Sequence, residues 1–386
     1  ERNLIVHLFI DSLAQNLIDE FGLEIMPNTK EFFGENCSIF NNAYAQSDWT
    51  LPSVVSFLTG EYVNSHMIYH PRDEVKISNM TLADSLSEVG YLTFCCSGIR
   101  MTNSYNGFDK GFDRFINANG KESNYIIEQA VEQLDSFKGK QYLFLGFFDF
   151  HKNNNKISPI SNQVKANISD LKYFDHKSLK EHAFKLPLNK SRDRDNLQDN
   201  KYWLKRMKNS LNHLDKKLKI LYQSIEEYDE NALVVLHSDH GIHGINNRHN
   251  SEKLLSANRQ KTIFLYKDNK KSTSTDLPKE LIELPSMIFD SLGIDNPFIY
   301  KRKEYALSES LYPNRFYEIA LRTKDYVLFY MISWENLKNN ELYNCHTSIS
   351  PLGDESIILD KDIPEYKNLL SIAIKHAEKT NIAITT

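Results

Sequence analysis

The chain has 386 residues, of which 41% are hydrophobic and 25% charged, and its formal net charge is −5. This composition excludes a disordered tail and is ordinary for a globular protein with one large domain or two smaller ones. The slightly acidic balance argues against nucleic acid as a partner, and no apolar run reaches the roughly eighteen residues of a membrane-spanning segment.

The four cysteines, Cys37, Cys95, Cys96 and Cys345, are sparse and irregularly spaced. This spacing argues against a disulfide framework and fits no zinc site, so it favours a reducing compartment. The sequence begins at Glu1 without methionine. We expect a cytoplasmic protein if the chain is complete, and a cell-envelope or extracellular one if an anchor has been trimmed.

Three apolar runs predict buried strands that end in acidic or histidine residues: NLIVHLFIDS (3–12), QYLFLGFFDFH (141–151) and NALVVLHSDHG (231–241). YLTFCCS (91–97) and KTIFLY (261–266) are two further strand candidates. Helical patterns separate most of these strands: MTLADSLSEVG, ESNYIIEQAVEQLDSF and WLKRMKNSLNHLDKKLKILYQSIEEY. This alternation predicts an α/β fold with a mostly parallel central sheet flanked by helices.

The ends of these strands carry Asp11, Asp149, His151, Asp239 and His240. Ligands of open parallel sheets bind beyond the carboxyl ends of the strands, so these residues are candidates for one site. The alternative is that strands simply stop in polar residues, although five such residues on three strands make coincidence a poor explanation.

SDWTLPSVVSFLTGEY (47–62) predicts a helix that starts near Pro52, because proline is tolerated in a first turn. Thr50 would then lie at the helix N-terminus, where unpaired N–H groups and the helix dipole favour an anion. A hydroxyl at an anion site is a candidate nucleophile. The alternative is that Thr50 or Ser53 only caps the helix.

LHSDHGIHG (236–244) places Asp239 and His240 side by side before a glycine. Such a pair can bind one metal ion, although a lone Asp-His pair is as often structural. With Asp11 and Thr50 it would supply the oxygen-rich ligand set of a hard divalent cation, which would also activate the threonine hydroxyl.

We divide the chain into a catalytic α/β domain (1–300) and a smaller C-terminal subdomain (301–386), in which alternating aromatic and apolar residues predict an antiparallel sheet. Residues 152–201 form a polar insertion rich in Lys, Asn, Asp and Ser. It is either a lid or a solvated surface segment.

The order of these segments resembles the sulfatase-like branch of the alkaline phosphatase superfamily over nearly the whole chain. In that family C-x-P-x-R, with Cys or Ser first, is followed by S-x-x-T-G; the matching positions are Thr50, Pro52, Val54, Ser56, Thr59 and Gly60. Further landmarks in the family's order include IDSL (10–13), MPNTKEF (26–32), GYLT (90–93), LD (214–215), SDHG (238–241) and RTKDYVLF (322–329).

The resemblance implies roles for individual residues. Asp11, Asp239 and His240 would bind the metal, and Thr50 would be both a ligand and the nucleophile. His151 would contact the anionic substrate, and Arg100 could stand in as an anion contact for a family lysine that is absent here. His243 and His249 would be either substrate contacts or surface residues.

Two departures from the family pattern bear on the chemistry. Thr50 cannot become formylglycine, the aldehyde that sulfatases use, because its Cβ carries a methyl group, and Val54 replaces the supporting arginine. The pattern is most similar to threonine-nucleophile members such as the phosphoglycerol transferases that build lipoteichoic acid. Ser12 follows Asp11 where calcium-binding sulfatases place a second Asp, so we expect one divalent ion, preferably Mn or Mg, with Ca or Zn as alternatives.

The resemblance therefore implies metal-dependent phosphoryl or phosphodiester transfer or hydrolysis through a covalent phospho-threonine. The expected substrate is a small polyol-phosphate or a glycan-linked or lipid-linked phosphate, as in cell-envelope polysaccharides. Two alternatives stay open: a sulfatase-like hydrolase of sulfuric esters, and a relative without catalysis that binds an anionic glycan.

Overall fold

The structure is a computed structural model, and it describes residues 2–13, 15–35, 37–69, 77–150, 197–241, 254–268 and 277–385. The strands within these ranges are β1 (Leu4–Ile10), β2 (Cys37–Ile39), β3 (Ala43–Tyr44), β4 (Leu92–Ser97), β5 (Arg114–Asn117), β6 (Gln141–Phe147), β7 (Leu233–His237), β8 (Lys261–Thr262), β9 (Phe264–Lys267), β10 (Lys279–Glu280), β11 (Ala306–Tyr312), β12 (Phe316–Arg322), β13 (Tyr326–Ser333) and β14 (Cys345–Pro351).

The α-helices of the same ranges are α1 (Gln15–Phe21), α2 (Pro27–Phe33), α3 (Thr50–Thr59), α4 (Val63–His66), α5 (Leu82–Glu88), α6 (Ser123–Ser136), α7 (Leu197–Tyr228), α8 (Ala257–Gln260), α9 (Leu284–Leu292), α10 (Trp334–Lys338) and α11 (Pro364–Thr385). Short 3-10 helices lie at Leu23–Ile25, Ser104–Asn106 and Leu281–Glu283. None of the described helices combines the length and apolar character that crossing a membrane requires.

The central sheet has the strand order β2-β9-β7-β1-β6-β4-β5. The five strands from β7 to β5 are parallel, whereas β9 pairs antiparallel with both β7 and β2. Every residue of β1 and β6 is buried, as expected for strands that are covered on both faces. The predicted α/β fold with a mostly parallel sheet is confirmed.

Helices cover both faces of this sheet. The apolar residues of α2, α6 and α7 form one core with the sheet, and those of α3, α5 and α9 form the other. The three helical patterns found in the sequence correspond to α5, α6 and α7. The helices α3 and α7 therefore lie on opposite faces of the same sheet.

The register of the two central strands brings two acidic residues to one edge of the sheet. β1 and β7 pair in parallel with Phe9 opposite His237. Asp11 and Asp239 each lie two residues further along, so they leave their strands at the same level. The N-terminus of α3 meets this edge, because the hydroxyl oxygen of Thr50 lies 3.3 Å from Nε2 of His240.

The predicted C-terminal antiparallel sheet is confirmed as β11 to β14, with α11 packed against it. This sheet is joined to the chain that leads into α3. The Ser308 hydroxyl donates to the Ala45 carbonyl at 2.6 Å, and the Glu309 amide donates to the Gln46 carbonyl at 2.8 Å. β11 is therefore a direct neighbour of the segment before Thr50.

The run KTIFLY differs from its predicted form, since it is not a single strand. β8 belongs to a three-stranded sheet with β3 and β10, and β9 joins the central sheet antiparallel to β7. An apolar run carries no sign of strand direction, and a change of sheet after two residues leaves no periodicity to detect.

Asp215 on α7 explains two landmarks of the sequence at once. Its buried carboxylate accepts hydrogen bonds from the amide and side chain of Asn28, at 2.9 and 2.7 Å, and from the amide and hydroxyl of Thr29, at 2.8 and 2.7 Å. These groups belong to the first turn of α2, whose N–H groups lack partners within the helix. Asp215 thus caps α2 from another element.

We predict that Asp215→Ala lowers the free energy of unfolding by about 3 kcal/mol, because it leaves buried donors of α2 without an acceptor. Urea denaturation followed by circular dichroism measures this change. Asp215→Asn, which keeps one acceptor oxygen, should lose less, and the exposed neighbour Lys216→Ala should change stability by under about 0.5 kcal/mol. Equal losses for Asp215→Ala and Lys216→Ala would contradict the capping role.

Candidate active site

Thr50 is the first residue of α3 and is 8% exposed. The residue at the cap position is Trp49, and no side chain caps the helix. The hydroxyl of Ser53 donates instead to the Ser47 carbonyl at 3.2 Å. The cap alternative for Thr50 and Ser53 therefore does not hold, and the Thr50 hydroxyl faces His240.

The rest of the motif frame has a structural role. Val54 is fully buried in the core beneath α3. Gly60 ends the helix with φ 71°, in the left-handed region, and its amide donates to the Ser56 carbonyl at 2.9 Å. A Cβ at Gly60 would also lie 3.4 Å from the Ile282 carbonyl. The S-x-x-T-G part of the frame fixes how α3 ends, and only Thr50 faces the site.

Ser12 holds the two acidic residues together. Its amide donates to Asp239 Oδ1 at 2.9 Å, and its hydroxyl donates to Asp11 Oδ1 at 2.6 Å. Ser12 has φ 64°, a left-handed conformation that non-glycine residues adopt rarely and often at functional sites. Ser12 alone thus orients two carboxylates that follow different strands.

The ring of His240 is oriented by the next residue. Its Nδ1 lies 2.7 Å from the Gly241 carbonyl, which can only accept, so Nδ1 carries the hydrogen and Nε2 of the neutral ring presents its lone pair. Nε2 lies 3.3 Å from Asp239 Oδ2. That carboxylate oxygen is buried and accepts no hydrogen bond in the described part of the chain.

These atoms form a plausible ligand set for one cation. The donor atoms of Asp11, Asp239 and His240 all lie within 4.8 Å of one another, and all three residues are buried. When Asp239 is ionised and His240 is neutral, two electron pairs face each other and repel, and a buried acceptor without a partner is costly. A divalent cation would relieve both, and carboxylate, imidazole and hydroxyl donors suit Mn, Mg, Ca or Zn.

The pKa values of the two carboxyls agree with a site that needs positive charge. Burial raises the pKa of Asp11 well above its ordinary value, and the nearby charge of Asp239 adds to this shift. Burial likewise raises the pKa of Asp239, although the Ser12 amide, the Thr50 hydroxyl and the His240 amide stabilise the ionised form and oppose this rise. Both groups thus resist ionisation in the absence of a cation.

Two buried histidines, one on β1 and one on β7, contact each other within the central sheet. His7 Nε2 and His237 Nε2 are 2.6 Å apart, His237 Nδ1 is 3.0 Å from the Ser238 carbonyl, and His7 Nδ1 is 3.0 Å from the Tyr142 hydroxyl. Burial lowers both pKa values, that of His237 to about 4. In the neutral pair, Tyr142 donates to His7, which donates to His237.

The other predicted residues fall in different places. Asp149 caps α6: its carboxylate accepts from the Ser123 amide and hydroxyl, both at 2.8 Å, and lies 3.7 Å from Lys217. Arg100 is exposed on the loop after β4. Outside the described residues lie His151, His243 and His249, together with residues 152–196 of the polar insertion.

Arg259 belongs to no motif, and sequence analysis missed it. Its Nε donates to the Asp48 carbonyl, two residues before Thr50. Its own carbonyl accepts from the Gly241 amide at 2.7 Å. Its positive charge also lowers the pKa of Asp11. This effect is the smallest of the four causes that together shift that pKa. No spacing rule would have pointed to it, because its two partners are distant in sequence.

A family model described as Sulfatase matches residues 3–306. No curated protein matches the chain in a sequence comparison. Among solved structures, one described as a 2-O GAG sulfatase is similar with a TM-score of 0.69 at 15% identity, covering 98% of this chain and 93% of that one.

Two other solved structures are similar in fold. The phosphonate monoester hydrolase from Silicibacter pomeroyi has a TM-score of 0.65 at 12% identity, covering 99% of this chain and 95% of its own. The C-terminal periplasmic domain of EcEptC from Escherichia coli has a TM-score of 0.53 at 17% identity, covering 79% and 89%. These identities are low, so the structural likeness concerns the fold.

We predict that Asp239→Asn is favourable for stability, relative to the parent, without a metal ion and unfavourable when the ion is bound. In chelator, the variant should lose less stability than the parent as pH rises above about 4, because a carboxyl with a raised folded pKa stabilises below its unfolded pKa and loses that contribution as pH rises through its folded pKa. With Mn²⁺ at about a hundredfold excess over Kd, the parent should gain about 2.7 kcal/mol and the variant little. Urea denaturation measures both, and identical pH slopes and metal gains would refute the assignment.

We predict that Ser12→Ala raises the Kd for Mn²⁺ roughly tenfold, because a carboxylate ligand loses the hydroxyl that orients it. Titration calorimetry on chelator-treated protein gives the affinity. Ser97→Ala, at the end of β4, is a matched loss of one buried hydroxyl and should leave the Kd unchanged. Unaltered affinity in Ser12→Ala would remove Ser12 from the site.

Proposed function

The chain belongs to the sulfatase family, and from this membership we propose that it is a metal-dependent enzyme that transfers or hydrolyses phosphate esters or diesters through Thr50. The observation that carries the proposal is the position of the Thr50 hydroxyl. It lies at the start of α3, caps no helix, and is 3.3 Å from His240 Nε2. This position of a buried alcohol, beside His240 and not in a helix cap, supports a chemical role.

The identity of the nucleophile favours phosphorus over sulfur. Thr50 carries a methyl group on Cβ and cannot be oxidised to an aldehyde, whereas a threonine alcohol can attack phosphorus directly. The position of the supporting arginine is held by Val54, which is fully buried in apolar surroundings. No charged group could replace Val54 without a large desolvation cost.

Asp11, Asp239, His240 and Thr50 would hold the divalent ion, with Mn or Mg preferred. When bound, the ion would lower the pKa of an alcohol and offset negative charge on a phosphoryl group. We favour one ion over two because Ser12, rather than a second carboxylate, follows Asp11, and its hydroxyl is already used by Asp11. Ser12 and Gly241 keep the carboxylates and the imidazole in place.

The proposed reaction has two displacements. Thr50 Oγ1 gives up its proton and attacks phosphorus, the bond from phosphorus to the leaving alkoxide breaks, and the alkoxide takes up a proton. Water or a second alcohol then gives up a proton and attacks the phospho-threonine, the bond from phosphorus to Oγ1 breaks, and Oγ1 takes up a proton to restore Thr50. The N-terminus of α3 favours the negative charge that gathers on the phosphoryl oxygens.

For the substrate, we propose a polyol-phosphate or a glycan-linked or lipid-linked phosphate of a cell-envelope polysaccharide. The likeness to a GAG sulfatase and a phosphonate monoester hydrolase supports a small anionic ester. His151, Arg100, His243 and His249 remain proposed substrate contacts.

A second candidate is hydrolysis of sulfuric esters without formylglycine. The family match and the high similarity of a sulfatase structure favour it. A sulfate ester carries one negative charge, so it would need less neutralisation than a phosphate monoester. Comparing nitrophenyl sulfate with nitrophenyl phosphate and a nitrophenyl phosphodiester separates the two candidates.

We predict that Thr50→Ala lowers kcat for the nitrophenyl phosphodiester by roughly a thousandfold or more, because the covalent step loses its nucleophile. Thr50→Ser, which keeps an alcohol, should retain measurable turnover and form a phospho-serine that mass spectrometry detects. Ser53→Ala removes a nearby hydroxyl bonded only to a backbone carbonyl and should keep the parent rate. Full turnover by Thr50→Ala would exclude Thr50 as the nucleophile.

A further inference from the structure

Arg259 connects the two segments that carry the nucleophile and the metal ligands. Its Nε donates to the carbonyl of Asp48, two residues before Thr50. Its backbone carbonyl accepts from Gly241, which directly follows His240, at 2.7 Å. The guanidinium is therefore held beside the segment that leads into α3, and the backbone of Arg259 is held beside the loop after β7.

Among the described residues, no carboxylate is paired with the charge of Arg259. The Asp48 carboxylate accepts from the Ser310 hydroxyl at 2.6 Å and the Tyr312 hydroxyl at 3.0 Å. Within the described ranges no carboxylate forms a salt bridge with Arg259, and neither Nη atom donates to a protein acceptor. The residue is partly exposed. Four N–H donors of the guanidinium are thus without an acceptor among the described residues, and its charge acts on Asp11.

Arg322 shows what a structural arginine looks like in the same molecule. It is fully buried, forms a salt bridge with Glu355 at 3.1 Å, and lies over the rings of Tyr44 and Phe329. Its charge is balanced by a carboxylate and its faces are covered by aromatic rings. Within the described ranges Arg259 has one backbone acceptor and no carboxylate partner, and it has solvent access, so it can take an anionic ligand.

The position of Arg259 also suits the reaction centre better than that of Arg100. Arg259 is bonded to the loop after β7, the immediate neighbour of β1. Arg100 follows β4, which is two strands from β1 across β6, a separation of roughly 10 Å along the sheet edge. An anion bound between Thr50 and the metal ligands is thus more accessible to Arg259.

We propose that the guanidinium of Arg259 binds a nonbridging oxygen of the tetrahedral oxyanion, phosphate or sulfate, that Thr50 attacks. This inference rests on the proposed function, which it deepens by naming the residue that positions the anionic group. The planar fork of arginine suits two oxygens of one oxyanion, and the bond to Asp48 keeps it aimed. Arg259 supplies positive charge that the chain itself carries into the site.

The test measures binding of inorganic phosphate and inorganic sulfate to the Mn²⁺-loaded protein by calorimetry. We expect Arg259→Gln to raise the Kd for the preferred oxyanion roughly tenfold to a hundredfold, and Arg259→Lys to lose less. The Kd for Mn²⁺ itself should change by less than about threefold. Arg206→Gln, a partly exposed arginine on α7 across the sheet, is the matched control and should bind as the parent does.

A measurement on the parent protein covers the case in which Arg259→Gln does not fold. Phenylglyoxal modifies arginine, and phosphate should protect Arg259 but not Arg206, as mapped by mass spectrometry. Unprotected Arg259, or oxyanion affinity equal to the parent's in Arg259→Gln, would overturn the inference. Arg259-dependent oxyanion binding without ester turnover would leave it standing and sink the proposed function. If Arg259→Gln turned over the ester with the KM of the parent, the proposed function would stand and the role of Arg259 would be rejected. If the parent protein bound neither oxyanion, both proposals would be rejected.

Discussion

The parallel pairing of β1 with β7 is the interaction on which the candidate site depends. Phe9 lies opposite His237, so Asp11 and Asp239 leave the sheet level with each other. A slip of one residue would turn alternate side chains to the other face and separate the carboxylates. The register is fixed from both sides, since buried apolar cores cover both faces of the sheet, and the short contact between His7 and His237 links the two strands by side chains.

The buried acidic residues of this protein differ in whether each of their carboxylate oxygens accepts a hydrogen bond. Asp215 accepts four hydrogen bonds, and buried Glu280 accepts from the Tyr62 and Tyr300 hydroxyls and the Leu307 amide. Asp239, equally buried, keeps one oxygen without a partner in the described part of the chain, beside the lone pair of His240. The fold thus satisfies the first two carboxylates, whereas the third keeps an oxygen that a cation could bind.

Much of this arrangement could be predicted from sequence, because strands buried on both faces and amphipathic helices leave strong periodic signals. The positions of Asp11, Thr50, Asp239 and His240 followed from strand ends and a helix start, and the structure places them together, although their roles as ligands and nucleophile remain proposals. Strand direction in KTIFLY was not predictable, since pairing partners decide it. Arg259 was missed for a similar reason: its two bonds join Asp48 to Gly241, a contact that only the folded chain creates.

The hydroxyls of Ser310 and Tyr312, on the first strand of the C-terminal sheet, hold the carboxylate of Asp48 two residues before Thr50. The small sheet is consequently part of the scaffold of the candidate site, because β11 supplies the two hydroxyls that hold Asp48. A chain truncated before β11 would keep every strand of the central sheet and lose this support.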